Sequence, residues 1–103
     1  MSLMGLGRFA DPAVLILSSL AGGDRHGYAL ITDIADFAQV TLGPGTLYGA
    51  LTRLEERGLV QALPADGRRR PYRLTAAGAR ELRAYLTHAH AVTSTGLRRL
   101  APT

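Results

Sequence analysis

Residues Gly43 to Gly58, GPGTLYGALTRLEERG, have the pattern of one complete helix. Pro44 suits the first helical position, where no backbone N–H is needed, and Gly58 suits the left-handed residue that ends a helix. One face is an apolar stripe and the other is small or polar; the stripe comprises Leu47, Ala50, Leu51 and Leu54, and the other face Thr46, Tyr48, Gly49, Thr52 and Arg53. Such a polar face fits either an ordinary surface helix or a helix that lies in a DNA major groove.

The sequence before this stretch predicts two further helices. An Asp-Pro pair at 11–12 supplies a cap and a first-turn proline, and an almost wholly apolar segment then runs to the glycine pair at 22–23. This first helix is either the centre of the core or a helix that a partner covers on one side. A second helix is predicted from residue 26 to about residue 37. Together with the helix that starts at Pro44, it forms the elements of a helix-turn-helix.

After Gly58 the pattern changes from helical to extended. Residues 59–63 and 71–74 are short and partly β-branched, and the turn at residues 64–67 ends in Asp-Gly, a strong hairpin signal. The predicted β-hairpin carries three consecutive arginines, Arg68, Arg69 and Arg70. In isolation they would be a solvated loop. Directly after a helix-turn-helix they predict a basic wing that contacts the DNA backbone or minor groove.

The last segment predicts a long helix that extends beyond the domain's own core. Thr75 is a cap, and residues 76–100 can form a helix, although Gly78 and Gly96 weaken it. An apolar stripe at spacings of three and four comprises Leu82, Leu86, Ala89, Thr93, Leu97 and Leu100. We expect this stripe to meet the same helix of a second copy. The alternative is a frayed tail, and the polar run at residues 93–96 is the feature of the sequence that fits it.

The composition favours one basic domain. A chain of 103 residues has room for one modest core. The net charge is +4, and all twelve basic residues are arginines, whose planar fork suits phosphates and guanine edges. The lack of cysteine excludes disulfides, thiolate metal sites and thiol catalysis. No apolar run reaches the roughly 18 residues of a membrane span and no signal peptide is visible, so we expect a cytoplasmic protein without membrane contact.

Nothing in the sequence indicates an enzyme, a metal site or a resident cofactor. His88 and His90 lie two apart on a helix, about 200° around it, and cannot share one metal ion. Asp33 and Asp36 lie close on one helix face, a spacing that is commonplace on solvated surfaces. No nucleophile or phosphate-cradling loop stands out.

The order of elements is that of a winged helix-turn-helix protein, mainly α with a small β-hairpin and a long C-terminal dimerisation helix. Three segments within residues 15–86 resemble the PadR family of bacterial transcriptional regulators: HGYAL at His26–Leu30, PGTLYGALTRLEERGLV at Pro44–Val60, and GRRRPYRLTAAG at Gly67–Gly78. The length is similar to the short members with a single C-terminal helix. We therefore divide the chain into an N-terminal arm at 1–10, a DNA-binding domain at 11–75, and a dimerisation helix and tail at 76–103. The arm's first three residues could precede a natural start at Met4.

The resemblance implies a homodimer that binds double-stranded DNA at a pseudo-palindromic operator, with one recognition helix in each of two successive major-groove turns. The DNA-facing residues would be Tyr28, Pro44, Gly45, Thr46 and Tyr48, with Arg68, Arg69 and Arg70 in the wing. For Tyr28, a role in packing is the alternative. On the polar face of the recognition helix, Thr52 would also face the groove. Arg53 lies further along the same helix and would contact a phosphate. The first and last helices would build the dimer interface, for which we select Leu15, Leu82, Leu86, Ala89 and Leu97. Gly43 stands where the family often has a capping serine.

The resemblance also implies a repressor that a small aromatic or drug-like effector relieves, bound near the dimer interface. Tyr85 is the aromatic residue on the dimerisation helix that we select for this contact. A winged helix that binds protein instead of DNA is the alternative function. It predicts an exposed apolar face and no basic wing, and the arginine cluster argues against it.

Overall fold

The computed structural model describes residues 11–102, and the predicted arm at 1–10 lies outside them. The elements follow in the order α1 (Pro12–Leu20), β1 (Arg25–His26), α2 (Gly27–Ala38), α3 (Pro44–Glu56), β2 (Val60–Ala62), β3 (Pro71–Leu74) and α4 (Ala76–Leu100). The strands form one antiparallel sheet in the order β1-β3-β2. Within residues 11–102, no helix combines the length and apolarity needed to cross a bilayer.

Helix α3 has the two ends that the sequence predicts. Pro44 is its first residue, and Gly58 adopts a φ of 75° just past its last turn. The Leu59 N–H donates to Leu54 O and the Gly58 N–H to Glu55 O, both at 2.9 Å. This is the Schellman arrangement, which needs a left-handed residue where Gly58 stands. The predicted apolar stripe is buried, since Leu47, Ala50, Leu51 and Leu54 are each at most 2% exposed.

Helix α1 is the centre of the core. It contacts α2, α3, α4 and β3, and its residues Leu15, Ile16, Leu17 and Leu20 are buried within the single chain. Of the two interpretations of this apolar helix, the core helix is the one that the described residues support. Ser19 of α1 is buried among these apolar side chains, where an unpaired hydroxyl would cost free energy. Its hydroxyl donates to Asp33 Oδ2 at 2.6 Å.

The structure differs from the sequence-based prediction at Asp33 and at residues 25–26. Asp33, which we placed on a solvated face, is half-buried and accepts a hydrogen bond from Ser19. The sequence predicted no strand before α2, but residues 25–26 form β1, in which Arg25 pairs with Tyr72 and His26 with Pro71. A strand of two residues shows no alternating pattern of its own, because its partner strand holds it in place.

The wing, defined here as residues 60–74, turns two residues later than predicted. Asp66 and Arg69 exchange backbone hydrogen bonds, Asp66 N–H to Arg69 O at 2.7 Å and Arg69 N–H to Asp66 O at 3.1 Å. Gly67 therefore occupies the first central position, with a φ of 64°. The hairpin turns I′ and II′ both require a positive φ there. The tight turn thus places Arg68 at the very tip.

Helix α4 is tied to the end of α3. The Thr75 hydroxyl caps α4 by accepting from the Gly78 N–H at 3.0 Å, and it donates to Gly58 O at 2.7 Å. A Cβ at Gly78 would overlap Leu59 O and lie 2.8 Å from Leu74 Cδ1. Gly78 lowers the helix propensity, as the sequence indicates, and it also permits this close approach.

Beyond its first two turns α4 leaves the core. Leu82 is 6% exposed, whereas Leu86 is 42%, Leu97 71% and Leu100 83% exposed. The expectation that this helix cannot pack wholly on its own domain is confirmed.

Candidate nucleic-acid interface

The first turn of α3 is open to solvent. Pro44, Gly45 and Thr46 are exposed, and Gly43 provides no side-chain cap. Helices α1, α2 and α4, by contrast, have caps from Asp11, His26 and Thr75. The first N–H groups of a helix have no intrahelical acceptor and carry partial positive charge. The start of α3 can therefore donate to a phosphate oxygen that comes close to it.

Tyr48 reaches from α3 to the start of α2. Its hydroxyl contacts Gly27, where an added Cβ would overlap it and would lie 2.8 Å from Cζ of the ring. Gly27 is buried, while 49% of Tyr48 remains exposed. Gly27 thus makes room for a half-exposed aromatic ring beside the open first turn of α3. The sequence predicted the exposure of Tyr48 but not its contact with Gly27.

Two further predicted residues lie on the outer face of α3. The Thr52 hydroxyl donates to Tyr48 O at 2.9 Å, which leaves its methyl group and oxygen lone pairs for an outside partner. A Cβ at Gly49 would lie 3.5 Å from Arg53 Nη1, so the guanidinium extends back along the helix towards its first half. At this distance an added methyl group would make an ordinary van der Waals contact with Arg53, so the Arg53 position does not require a glycine at 49.

The three wing arginines are exposed but not equivalent. Arg70 Nη1 donates to Leu63 O at 3.1 Å, so part of this guanidinium is used within the hairpin. Within residues 11–102, the side chains of Arg68 and Arg69 make no hydrogen bond or ion pair to other side chains or to the backbone. These two are free to meet phosphates.

The structure brings the wing and α2 to one groove of about 850 Å³. Tyr28, which is 76% exposed, lines it together with Arg69. Arg25 and His26 also line the groove, and the sequence analysis did not select them. Arg25 donates to Ser19 O at 3.1 Å and lies 3.6 Å from Asp33 Oδ2, so its charge is partly compensated.

Arg73, part of the same arginine cluster in sequence, is paired. Its Nε and Nη2 donate to Asp24 Oδ1 at 3.2 Å and to Asp24 Oδ2 at 2.8 Å. This hydrogen bond from Arg73, together with its charge, lowers the pKa of the Asp24 carboxyl below its ordinary value. The bidentate pair holds the residue before β1 against β3, and it uses the donors that Arg73 would need for DNA.

Comparison with known proteins agrees with this arrangement. The model of the transcriptional regulator PadR-like family matches residues 16–84, more than half of the chain. The chain belongs to the PadR-like family. PadR-family members are transcriptional regulators that bind DNA, and they are not enzymes.

Relatives from several organisms share the sequence or the fold. An uncharacterized 37.1 kDa protein in transposon TN4556 of Streptomyces fradiae is 51% identical over 75 residues, which cover 73% of this chain and 21% of that protein. The chain thus spans about a fifth of the length of this relative. A PadR family transcriptional regulator from Eggerthella lenta is 30% identical with a TM-score of 0.77, covering 98% of this chain and 90% of the other. A PadR family transcription regulator from Clostridium difficile shares the fold, with a TM-score of 0.77, 24% identity, and coverage of 92% and 100%.

The residues selected for a PadR-type dimer interface divide into two groups. Leu15 and Leu82 are 4% and 6% exposed, so they pack in the core and leave little surface for a partner. Leu86 and Leu97 are exposed, and Ala89 is half-buried. Of these five residues, the three that leave surface for a partner lie on α4 beyond Leu82.

Two apolar depressions flank α4. Leu74, Leu82, Leu86 and His90 line a groove of about 460 Å³. Tyr85 lies in a different cleft of about 170 Å³, below the roughly 300 Å³ at which ligand pockets begin. Its effector contact stays a prediction.

In the part of the chain that the structure describes, no cluster of three or more His, Asp or Glu side chains could hold a metal ion.

Proposed function

We propose that this chain is a sequence-specific repressor that acts as a homodimer on a pseudo-palindromic operator. The observation that carries the proposal is the juxtaposition of three exposed features. These are the open first turn of α3, the half-exposed Tyr48 beside α2, and the groove that Tyr28 shares with Arg69 of the wing. A helix for the major groove next to a basic hairpin is the geometry with which winged helices bind duplex DNA.

Each part of this surface has a separate role in the proposal. Thr46, Tyr48 and Thr52 face base edges in the major groove, where hydrogen bonds and apolar contacts discriminate between sequences. Arg53 and the N–H groups of the first turn hold phosphates, which fixes the register of the helix. Arg68 and Arg69 contact the backbone or minor groove beside it, and they add affinity rather than discrimination.

The homodimer is supported by the exposed leucines of α4. Leu86, Leu97 and Leu100 lie on α4 and are 42%, 71% and 83% exposed among residues 11–102. A two-fold pair formed through these helices would present two copies of α3, and a palindromic site requires that the two lie about one DNA turn apart. An apolar effector would bind beside this interface, for which the groove at Leu82 and Leu86 has a suitable size.

Salt dependence of DNA binding tests the wing directly. The double variant Arg68→Ala/Arg69→Ala should weaken binding to all duplexes and reduce the slope of log K against log salt by about 1.8, since each neutralised phosphate contributes about 0.9. The matched control Arg98→Ala/Arg99→Ala removes two exposed arginines from the end of α4 and should leave the slope unchanged. Equal slopes for the wild type and the wing variant would contradict the wing assignment and favour a protein-binding module.

A further inference from the structure

Glu55 joins the recognition helix to the wing. The Ala62 N–H of β2 donates to Glu55 Oε2 at 3.1 Å. The strand order β1-β3-β2 leaves β2 at the edge of the sheet, and this N–H is directed to α3 rather than to β3. The adjacent Leu63 N–H donates to Pro71 O of β3 at 2.9 Å, as the alternation of an antiparallel pair requires.

The position of Glu55 is unfavourable on two other grounds. It stands in the last turn of α3, where the helix carries partial negative charge that disfavours an acid. It also places a carboxylate on a surface that would face phosphates. Its neighbour Glu56 has the same disadvantages and makes no side-chain hydrogen bond within residues 11–102. The bond to Ala62 therefore distinguishes Glu55.

The surroundings of Tyr72 place the same residues at the base of the wing. Tyr72 lies opposite Ala62 in the sheet. Burial raises the pKa of the Tyr72 phenol, and the nearby groups of Glu55 and Tyr48 raise it further, while Arg70 opposes them. Tyr72 thus lies near Glu55 and Tyr48 of α3 and near Arg70 of the wing.

We propose that Glu55 is a positioning residue for DNA reading, which fixes the direction of the wing relative to α3. Arg68 lies six positions after Ala62, so a small rotation of β2 moves the arginine tip by a larger distance. Holding β2 against α3 lets the helix and the wing contact DNA at the same time. This inference rests on the proposed DNA binding and concerns how its two parts cooperate.

The test is a double-mutant cycle between Glu55 and the wing arginines. Glu55→Met removes the acceptor, Glu55→Gln keeps one, and Glu56→Met is the control that removes the same charge from the neighbouring position with a similar helix propensity. Each is combined with Arg68→Ala/Arg69→Ala, and the affinity for an operator selected from random DNA is measured by fluorescence anisotropy. Amide hydrogen exchange at Ala62 reports the contact without DNA.

Loss of a charge alone should tighten DNA binding, so Glu56→Met should bind as tightly as the wild type or tighter. Glu55→Met should instead bind about five- to tenfold more weakly, and the arginine substitutions should then cost about five- to tenfold less than in the wild type. Glu55→Gln should retain most of the wild-type affinity. Exchange at Ala62 should accelerate in Glu55→Met alone.

The outcomes separate this inference from the proposed function. Suppose that the wild type binds the operator, that Glu55→Met binds it as tightly, and that Arg68→Ala/Arg69→Ala weakens both by the same factor. The positioning role is then refuted while DNA binding stands. Loss of affinity in Glu55→Gln equal to that in Glu55→Met would also refute it, because the charge and not the acceptor would matter. If the wild type binds no DNA, the proposed function fails and the positioning role fails with it, whatever the exchange at Ala62 shows.

Discussion

The contact between Tyr48 and Gly27 can be disturbed without deleting either element that makes it. The substitution Gly27→Ala adds one methyl group at the start of α2. Gly27 does not have a positive φ, so alanine fits the backbone, but its Cβ would overlap the Tyr48 hydroxyl and lie 2.8 Å from Cζ. Carbon atoms in contact are about 3.5–4.0 Å apart, so the ring must move by about 1 Å or rotate outward.

The cost to stability should be small because Tyr48 can move into solvent. The ring is 49% exposed, so full rotation would lose about half of its area, roughly 100 Å² or about 2.5 kcal/mol. Alanine offsets part of this by about 0.5–1 kcal/mol, since glycine loses more backbone entropy in a helix. We expect a net destabilisation of about 1–2 kcal/mol or less in urea denaturation.

The cost to sequence discrimination should be larger. Displacing one base-reading side chain removes about 1–3 kcal/mol of preference, so the affinity ratio of operator to random duplex should fall about fivefold or more. Fluorescence anisotropy on both duplexes measures this ratio. Ala91→Ser is the control, because it adds one atom at an exposed position of α4 on the side opposite the leucine stripe, and it should leave the ratio unchanged. Undiminished discrimination in Gly27→Ala would refute the reading role of Tyr48, and a destabilisation above about 3 kcal/mol would refute its freedom to move.

Three further predictions concern the scaffold. Gly78→Ala should destabilise the fold by about 2–3 kcal/mol in urea denaturation, because its Cβ meets the backbone carbonyl of Leu59, which cannot rotate away; an unchanged midpoint would contradict the close approach. The Asp24 carboxyl has a folded pKa below its ordinary value of 3.8 because of Arg73, so its stabilising contribution is full above that value and is lost as the pH falls through the folded pKa. Acid titration of stability should therefore be shallower in Asp24→Asn below about pH 4, and identical curves would contradict the pair. Leu97→Glu, at a site 71% exposed, should leave the subunit folded and halve the mass in light scattering; a retained dimer would contradict the α4 interface.

Local signals explain why α3 was predictable to within two residues. Pro44 and Gly58 are residue types that a helix start and a helix end each require, and both act through their own backbone. The arginines at 68–70 were placed at the hairpin tip for a similar reason, since Asp-Gly marks a turn. The tip itself shifted towards Arg68 because pairing between strands, and not the turn residues alone, sets the register.

Features that depend on tertiary contacts were not predictable. Strand β1 exists because β3 lies beside it, and Asp33 faces inward because the buried Ser19 hydroxyl needs an acceptor. The helix that contains Leu15 is apolar in sequence whether the core or a partner covers it. Only the structure shows that the chain's own core covers Leu15. Glu55 likewise has an ordinary place in a helical pattern, and its partner Ala62 is seven residues away on a strand.

Selection of bound fragments from random duplex DNA tests the proposed function most directly. The wild-type chain should enrich one sequence, and that sequence should be an inverted repeat with half-sites about 10 base pairs apart, because a two-fold dimer presents one α3 to each of two successive major-groove turns. Enrichment of no sequence, with binding that depends only on salt, would contradict sequence-specific reading by α3.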